Sequence, residues 1–353
     1  MYALPLIATL CTRQAVAESN YADIARYLAG IPPTSPSALG ELTDTPEWKV
    51  HAKYLGARWA QLEQIQLAKV RKFADRELGA RQPVVSYMFG GPDFAYINAF
   101  FPAATTYILS GLEPVLDIPD PASLTPIERT NLLFEVRAST RTFFEKGFFR
   151  TEDMHSPGFP GVVQLLSMII ARSEGEILSL DRVYLDSEGK LTNVLDESRK
   201  LFGARIRFTI HDQPPQEVFY FSVDLSNKSI VETGFLKFCA AMGSADAFVK
   251  SASYLPHEGD FSVVRDFILE HSQIVVQDDS GIPLRNFSKG TWDVRVFGHY
   301  RAPIGPMSKY YQPDLETEAN GTKRIPVDFK IGYAGSARDS ILLVGRRKQV
   351  GKQ

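Results

Sequence analysis

The chain has 353 residues, 44% hydrophobic and 23% charged, with a formal net charge of −2. That composition is globular rather than disordered, and the length suits one large α/β domain with extensions, or two domains. Near-neutral charge gives no field for holding nucleic acid or an anionic membrane. Beyond the N-terminus no segment reaches the roughly 18 uninterrupted apolar residues of a stable membrane span.

Tyr2–Leu10 is an apolar run, and Ala15-Val16-Ala17 has the small-residue pattern of a cleavage site. This predicts a signal peptide over 1–17 and a periplasmic or secreted protein; a retained segment would leave it cytoplasmic. After cleavage Cys239 is the one remaining cysteine, which excludes an internal disulfide and a cysteine metal pair. It sits in the apolar stretch Phe235–Ala241 and reads as a buried structural thiol.

Residues 18–80 read as a helical extension. Tyr21–Leu28 is a short helix and Ile31–Leu39 a Pro/Ser-rich loop. Tyr54–Leu78 is a long amphipathic helix, with Leu55, Trp59, Leu62, Ile65, Val70 and Phe73 at near-helical spacing. Its basic cluster, Lys69, Arg71, Lys72 and Arg76, reads as a solvated face. Pro83–Phe89 is then an apolar strand and Gly90-Gly91-Pro92-Asp93 a tight turn. Phe94–Phe101 is a short helix, and Thr105–Leu109 is a second strand running into Gly111-Leu112-Glu113-Pro114. Strand, glycine turn, helix and strand within about 30 residues is a βαβ unit.

Two helices follow, Pro126–Lys146 with Thr125 as its cap and Gly161–Ala171. The aromatic loop between them, Gly147–Pro160, is a candidate lid or partner contact. Strands are predicted over Ile177–Leu185, Arg205–Ile210 and Glu217–Asp224, within an insertion near 147–225. Helix Phe235–Met242, strand Phe248–Leu255, helix Phe261–His271, and strands Ile274–Gln277 and Trp292–Phe297 come next. Val327–Tyr333 and Ser340–Val344 read as a closing antiparallel hairpin, and 346–353 as a basic tail. The expected class is α/β: a Rossmann-like, mostly parallel sheet with flanking helices, that C-terminal hairpin and a β-rich insertion.

Over 81–345 this order of elements resembles the class I methyltransferase fold. The resemblance implies that the turn, through Gly90, Gly91 and Asp93, cradles S-adenosylmethionine, and that Glu113 binds its ribose hydroxyls. The turn departs from the family's spaced glycines, and Pro92 removes a backbone donor. Gly90–Phe94, Phe100-Phe101-Pro102 and Gly111–Pro114 also resemble signatures of uncharacterised exported bacterial proteins, to which no activity attaches.

Other groups with chemical potential are few. Asp278-Asp279 ends a strand, where paired carboxylates can perturb one another, although neighbours on a strand point to opposite faces. His299, with Gln312 and Asp314 downstream, and His257-Glu258 are further candidates. No G-x-S-x-G elbow, H-E-x-x-H helix, Walker loop or zinc-spaced set is present, so no metal site is predicted. Two readings follow. One is an exported, non-catalytic binding or accessory protein with a protein partner; the other is an S-adenosylmethionine-dependent methyltransferase-like enzyme. They separate on whether the space above Gly90 and Glu113 is open or filled by side chains.

Overall fold

The computed structural model describes residues 20–154, 158–159, 161–194, 201–211, 213–321 and 325–349. The predicted signal peptide and the end of the basic tail lie outside the described residues. Helix α1 (Tyr21–Leu28) is capped by Asn20, whose side chain accepts from Asp23 N at 2.8 Å. After α2 (Ala38–Leu42), helix α3 (Pro46–Leu62) passes through one π turn, Glu63–Leu67, into α4 (Ala68–Glu77). The long helix begins earlier than its apolar spacing predicts because Pro46 is well placed at a first helical position. The π turn coincides with a bond from Lys330 N to Gln66 Oε1, 2.8 Å, and Lys69 Nζ donates to Asp328 O at 2.9 Å. Arg71 pairs with Glu63 and Arg76 with Glu77. Most of the basic cluster therefore has protein partners as well as solvent.

The βαβ unit consists of β1 (Val84–Tyr87), α5 (Phe94–Phe100) and β2 (Thr106–Gly111). The strands run parallel, with Val84 opposite Thr106 and Tyr87 opposite Leu109. Helix α6 (Pro126–Lys146) opens with a Thr125–Glu128 capping box and ends at Gly147, whose φ is 86°. Next come α7 (Val162–Arg172), β3 (Gly175–Leu185), β4 (Leu191–Thr192), β5 (Leu201–Ile210) and β6 (Gln216–Ser222). Helices α8 (Asn227–Ile230) and α9 (Phe235–Ala241) precede β7 (Ala245–Val249), α10 (Ser262–His271) and β8 (Ser272–Gln277). Strand β9 (Trp292–Gly298), α11 (Pro313–Ala319) and β10 (Ile341–Arg347) follow among the described residues.

Among the described residues ten strands form one sheet in the order β4-β3-β5-β6-β2-β1-β7-β8-β10-β9. The expectation of a mostly parallel sheet needs correcting to a mixed one. Four pairings are parallel, all within β6-β2-β1-β7-β8. The five antiparallel ones flank that centre. Parallel neighbours need long crossovers, which the central helices supply, whereas β3 to β6 follow one another closely and fold back. The expected terminal hairpin is also corrected. Residues 325–333 form no strand, and β10 instead lies between β8 and β9. Phe329 is drawn into the core against Phe73 and Phe100, which takes that segment off the sheet edge. Arg346 and Arg347 belong to β10, and Arg347 Nε donates to Ser272 O at 2.9 Å. The strand expected over Phe248–Leu255 ends at Val249, and from Ser251 the backbone turns left-handed.

Alternation along the strands divides the interior in two. Val85, Tyr87, Tyr107, Leu109, Phe248 and Val276 face one core with α1 and α3 to α7. Val84, Ile108, Ala247, Val249 and Val275 face the other, closed by α8, α9 and α10, where Cys239 is buried and its thiol pKa pushed up by that burial. Helices thus cover both faces of the parallel centre. No described helix is long and apolar enough to cross a membrane.

Candidate functional site

The chain leaves β1 toward β2 and β6 on one side and reaches β7 and β8 on the other. Strand order reverses at β1, and crevices outside the carboxyl ends of parallel strands at such a point are where open α/β sheets take ligands. Here a cleft of about 560 Å³ opens over the ends of β1, β2, β6 and β7. Gly90, Gly91 and Glu113 all line it.

The β2 rim is built by leaving side chains out. Gly91 has φ of 52°, and a Cβ there would stand 3.7 Å from Glu113 Oε2 and 4.0 Å from Met154 Cε, in the cleft. A Cβ on Gly111 would meet Glu113 Oε2 at 2.4 Å, Tyr220 Oη at 3.0 Å and Gly91 Cα at 3.2 Å. Gly111 therefore gives the Glu113 carboxylate its seat and lets the β1 turn approach β2. Glu113 is buried. The Tyr220 hydroxyl donates to its carbonyl at 3.0 Å and to Oε2 at 3.3 Å, and burial followed by the Glu113 charge pushes the Tyr220 pKa far up. A carboxylate offers about four acceptor positions, and among the described residues one phenol fills only part of them. Asp224, beyond β6, also lines the cleft. The Ser226 amide, then the Ser229 and Ser226 hydroxyls, hold its carboxyl below the usual range despite partial burial.

The β7 rim is built by strain. Ser251, Ser253 and Tyr254 have φ of 54°, 52° and 58°, the left-handed region that side chains other than glycine avoid. Each is held from behind. Ser251 N donates to the Asp278 carboxylate at 3.3 Å, Ala252 N to Ser280 Oγ at 2.9 Å and Ser253 N to Tyr333 Oη at 3.1 Å. The Tyr333 hydroxyl donates to Ser251 O at 2.7 Å, and the Tyr254 hydroxyl to Asp279 Oδ2 at 2.7 Å.

Lys250 joins the two rims. Its ammonium is buried, pairs with Asp93 Oδ2 at 2.8 Å and donates to Gly147 O at 2.6 Å. It also stands 4.3 Å from the Tyr96 ring centroid. Asp93 caps α5, accepting from Tyr96 N, and takes the Tyr87 hydroxyl at 3.3 Å. One side chain thus ties the β1 turn, the β7 turn and the start of the segment after α6. That segment, part of the predicted lid, crosses the cleft: Phe148, Phe149, Arg150 and Met154 line it. The Phe148 ring meets Tyr333 edge-on at 4.9 Å.

The remaining sequence candidates are placed elsewhere. Asp93 faces Lys250 rather than the cleft. Asp278 and Asp279 lie behind the β7 rim and point apart, toward Ser251 N and Tyr254. Neither lines the cleft, and neither does His299. Gln312 Nε2 donates to the Asp279 carbonyl at 3.1 Å, while Asp314 stands in the first turn of α11. His257 packs against Tyr254 and Tyr310, and burial lowers its pKa to about 4. Glu258 accepts from Lys309 and Tyr310. Among the described residues no three or more His, Cys, Asp or Glu side chains gather closely enough to hold a metal ion. No family model, curated protein or solved structure matches the chain.

Sequence reading gave no site role to Gly111, Tyr220, Lys250, Ser251 or Tyr333, although it named Gly111 at the end of the second strand and Tyr333 at the end of the expected hairpin strand. Only Lys250 carried a local signal, a lysine directly after the apolar run of β7. The others acquire meaning through partners distant in the chain.

Proposed function

We propose that this chain is an S-adenosylmethionine-dependent methyltransferase-like enzyme whose cofactor lies across the ends of β2, β1 and β7. The observation that carries the reading is Glu113: a buried carboxylate with acceptor positions that no described residue fills, at the rim of an open cleft and seated over two glycines. Supporting it, the five parallel strands run 3-2-1-4-5 when counted among themselves, the doubly wound order in which such crevices take nucleotides. The accessory-protein reading expects that space to be filled, which weighs against it.

The residues present fit the group. Glu113 accepts the protons of a ribose diol, and Gly91 and Gly111 leave room for the sugar beside the backbone. Bound there, with Glu113 and the seat at Gly91 and Gly111 holding its ribose, the cofactor would supply an activated methyl group for transfer to a nucleophilic acceptor. Phe148, Phe149 and Met154 exclude solvent from the space above Gly91.

The test is thermal denaturation with S-adenosylhomocysteine. A ligand at 100 times its dissociation constant stabilises by about 2.7 kcal/mol, and the melting temperature should rise accordingly. Glu113→Gln should keep the Tyr220 contact yet bind at least about tenfold more weakly, by losing charge-assisted hydrogen bonds. Absence of any rise at millimolar ligand would overturn the reading, and a mature N-terminus at Glu18 on an exported chain would count heavily against it.

A further inference from the structure

The β7 end of the cleft holds a polar atom that no described residue satisfies. Ser251 Oγ is buried without a hydrogen-bond partner, although Ser251 lines the cleft. Buried hydroxyls are nearly always paired, and an orphan on strained backbone beside a cleft calls for a ligand. Its neighbours are already used: Ser251 N on Asp278, Ser251 O and Ser253 N on Tyr333, Ala252 N on Ser280.

Position assigns it a role. From the end of β2 across β1 to the end of β7 is two strand spacings, roughly 10 Å. If Glu113 holds the ribose, Ser251 stands at the reacting end. Apolar side chains that line the cleft with Ser251 include Phe148, Leu255, Phe261, Ile304 and Met307, beside Tyr333, whose hydroxyl is committed. The nearest buried cation, Lys250, is committed to Asp93 and Gly147. Arg150 is exposed and paired with Glu152 at 3.3 Å, and Lys146 is exposed. An anionic acceptor would thus find no free buried cation beside Ser251 among the described residues. The buried Asp278 carboxylate that a cationic one would need is already held by Ser251 N and Ser280 Oγ, whereas an uncharged aromatic ring would find matching walls.

We propose that Ser251 is an acceptor-binding residue, and that this half of the cleft takes a small, uncharged, hydroxyl-bearing aromatic compound with its hydroxyl on Ser251 Oγ. The proposal rests on the methyl-transfer reading for its account of the Glu113 half.

Calorimetric titration of the full chain with 4-ethylphenol, benzoate and benzylamine, each with and without S-adenosylhomocysteine, tests it. Expected is phenol binding tighter than the two charged probes, weakened about tenfold in Ser251→Gly, with affinity for S-adenosylhomocysteine unchanged. Ser251→Gly should also melt higher than wild type, since glycine adopts that φ without strain. Ser253→Gly should share the higher melting temperature and keep wild-type phenol binding, separating strain from contact. Phenol binding no better than benzoate or benzylamine, or unchanged in Ser251→Gly, overturns the proposal. Failure to bind S-adenosylhomocysteine overturns the methyl-transfer reading instead, and the titrations without it still read the Ser251 contact.

Discussion

The two rims flanking the Gly90-Gly91 turn bring backbone close to a ligand by opposite means. On the β2 side, Gly91 and Gly111 give up side chains, so the conformation is unstrained and its cost falls on the unfolded chain's entropy. On the β7 side, Ser251, Ser253 and Tyr254 keep theirs and are forced left-handed. That conformation stands only because Asp278, Ser280 and Tyr333 hold it from behind. Damage to the first rim should therefore be steric and local. Damage to the second should spread through a buried polar network, because removing one partner strands another.

Lys250 is where the two meet, and its loss should have the largest effect. Lys250→Met leaves Asp93 buried with only neutral donors, Tyr96 N and the Tyr87 hydroxyl. Breaking a buried pair in this way costs about 3–5 kcal/mol. Urea unfolding measures it, and Lys250→Met with Asp93→Leu should recover most of the loss. A cost below about 1 kcal/mol for the single variant would mean that the rims are not joined through this pair.

How much of this was legible in the sequence follows from the same distinction. The βαβ unit, the cap at Thr125 and the long helices depend on local spacing and turn chemistry, and their residues announce them. The glycine turn and Glu113 were readable because a βαβ unit brings neighbouring strand ends together. The antiparallel flanks were not, since β10 pairs with both β8 and β9, strands distant from it in the chain, while Phe329 of the expected hairpin packs into the core instead. The strained rim was least legible. Ser251-Ala252-Ser253-Tyr254 reads as an ordinary strand end, and only Asp278, Ser280 and Tyr333, brought in from distant positions, make it otherwise.

Gly111→Ala sharpens the comparison from the relaxed side. The new methyl would stand 2.4 Å from Glu113 Oε2 and 3.0 Å from Tyr220 Oη, so the carboxylate must move. Overpacking of this kind costs about 1–3 kcal/mol. The distinguishing expectation is that stabilisation by S-adenosylhomocysteine disappears while the rest of the fold persists, read as a melting curve that no longer moves with ligand. Retention of the full shift would show that Glu113 does not need its seat over Gly111.

The smallest effect belongs to the support behind the strained rim, and it depends on pH. Burial raises the Asp278 carboxyl above its ordinary range. Burial and then the Asp278 charge raise Asp279 as well. A carboxyl whose pKa is higher folded than unfolded binds protons more tightly in the native state. Its contribution to stability is therefore present below the unfolded value near 4 and is lost as pH rises toward neutrality. The charged pair works against the fold at pH 8. Asp279→Asn keeps an oxygen to accept from the Tyr254 hydroxyl while removing that repulsion. It should gain on the order of 1–2 kcal/mol over wild type at pH 8 and much less at pH 4.5. Urea unfolding at the two pH values reads the difference directly. A variant less stable than wild type at pH 8 would mean that the Tyr254 bond needs a full negative charge. Asp279 would then be a clamp on the left-handed turn rather than a burden behind it.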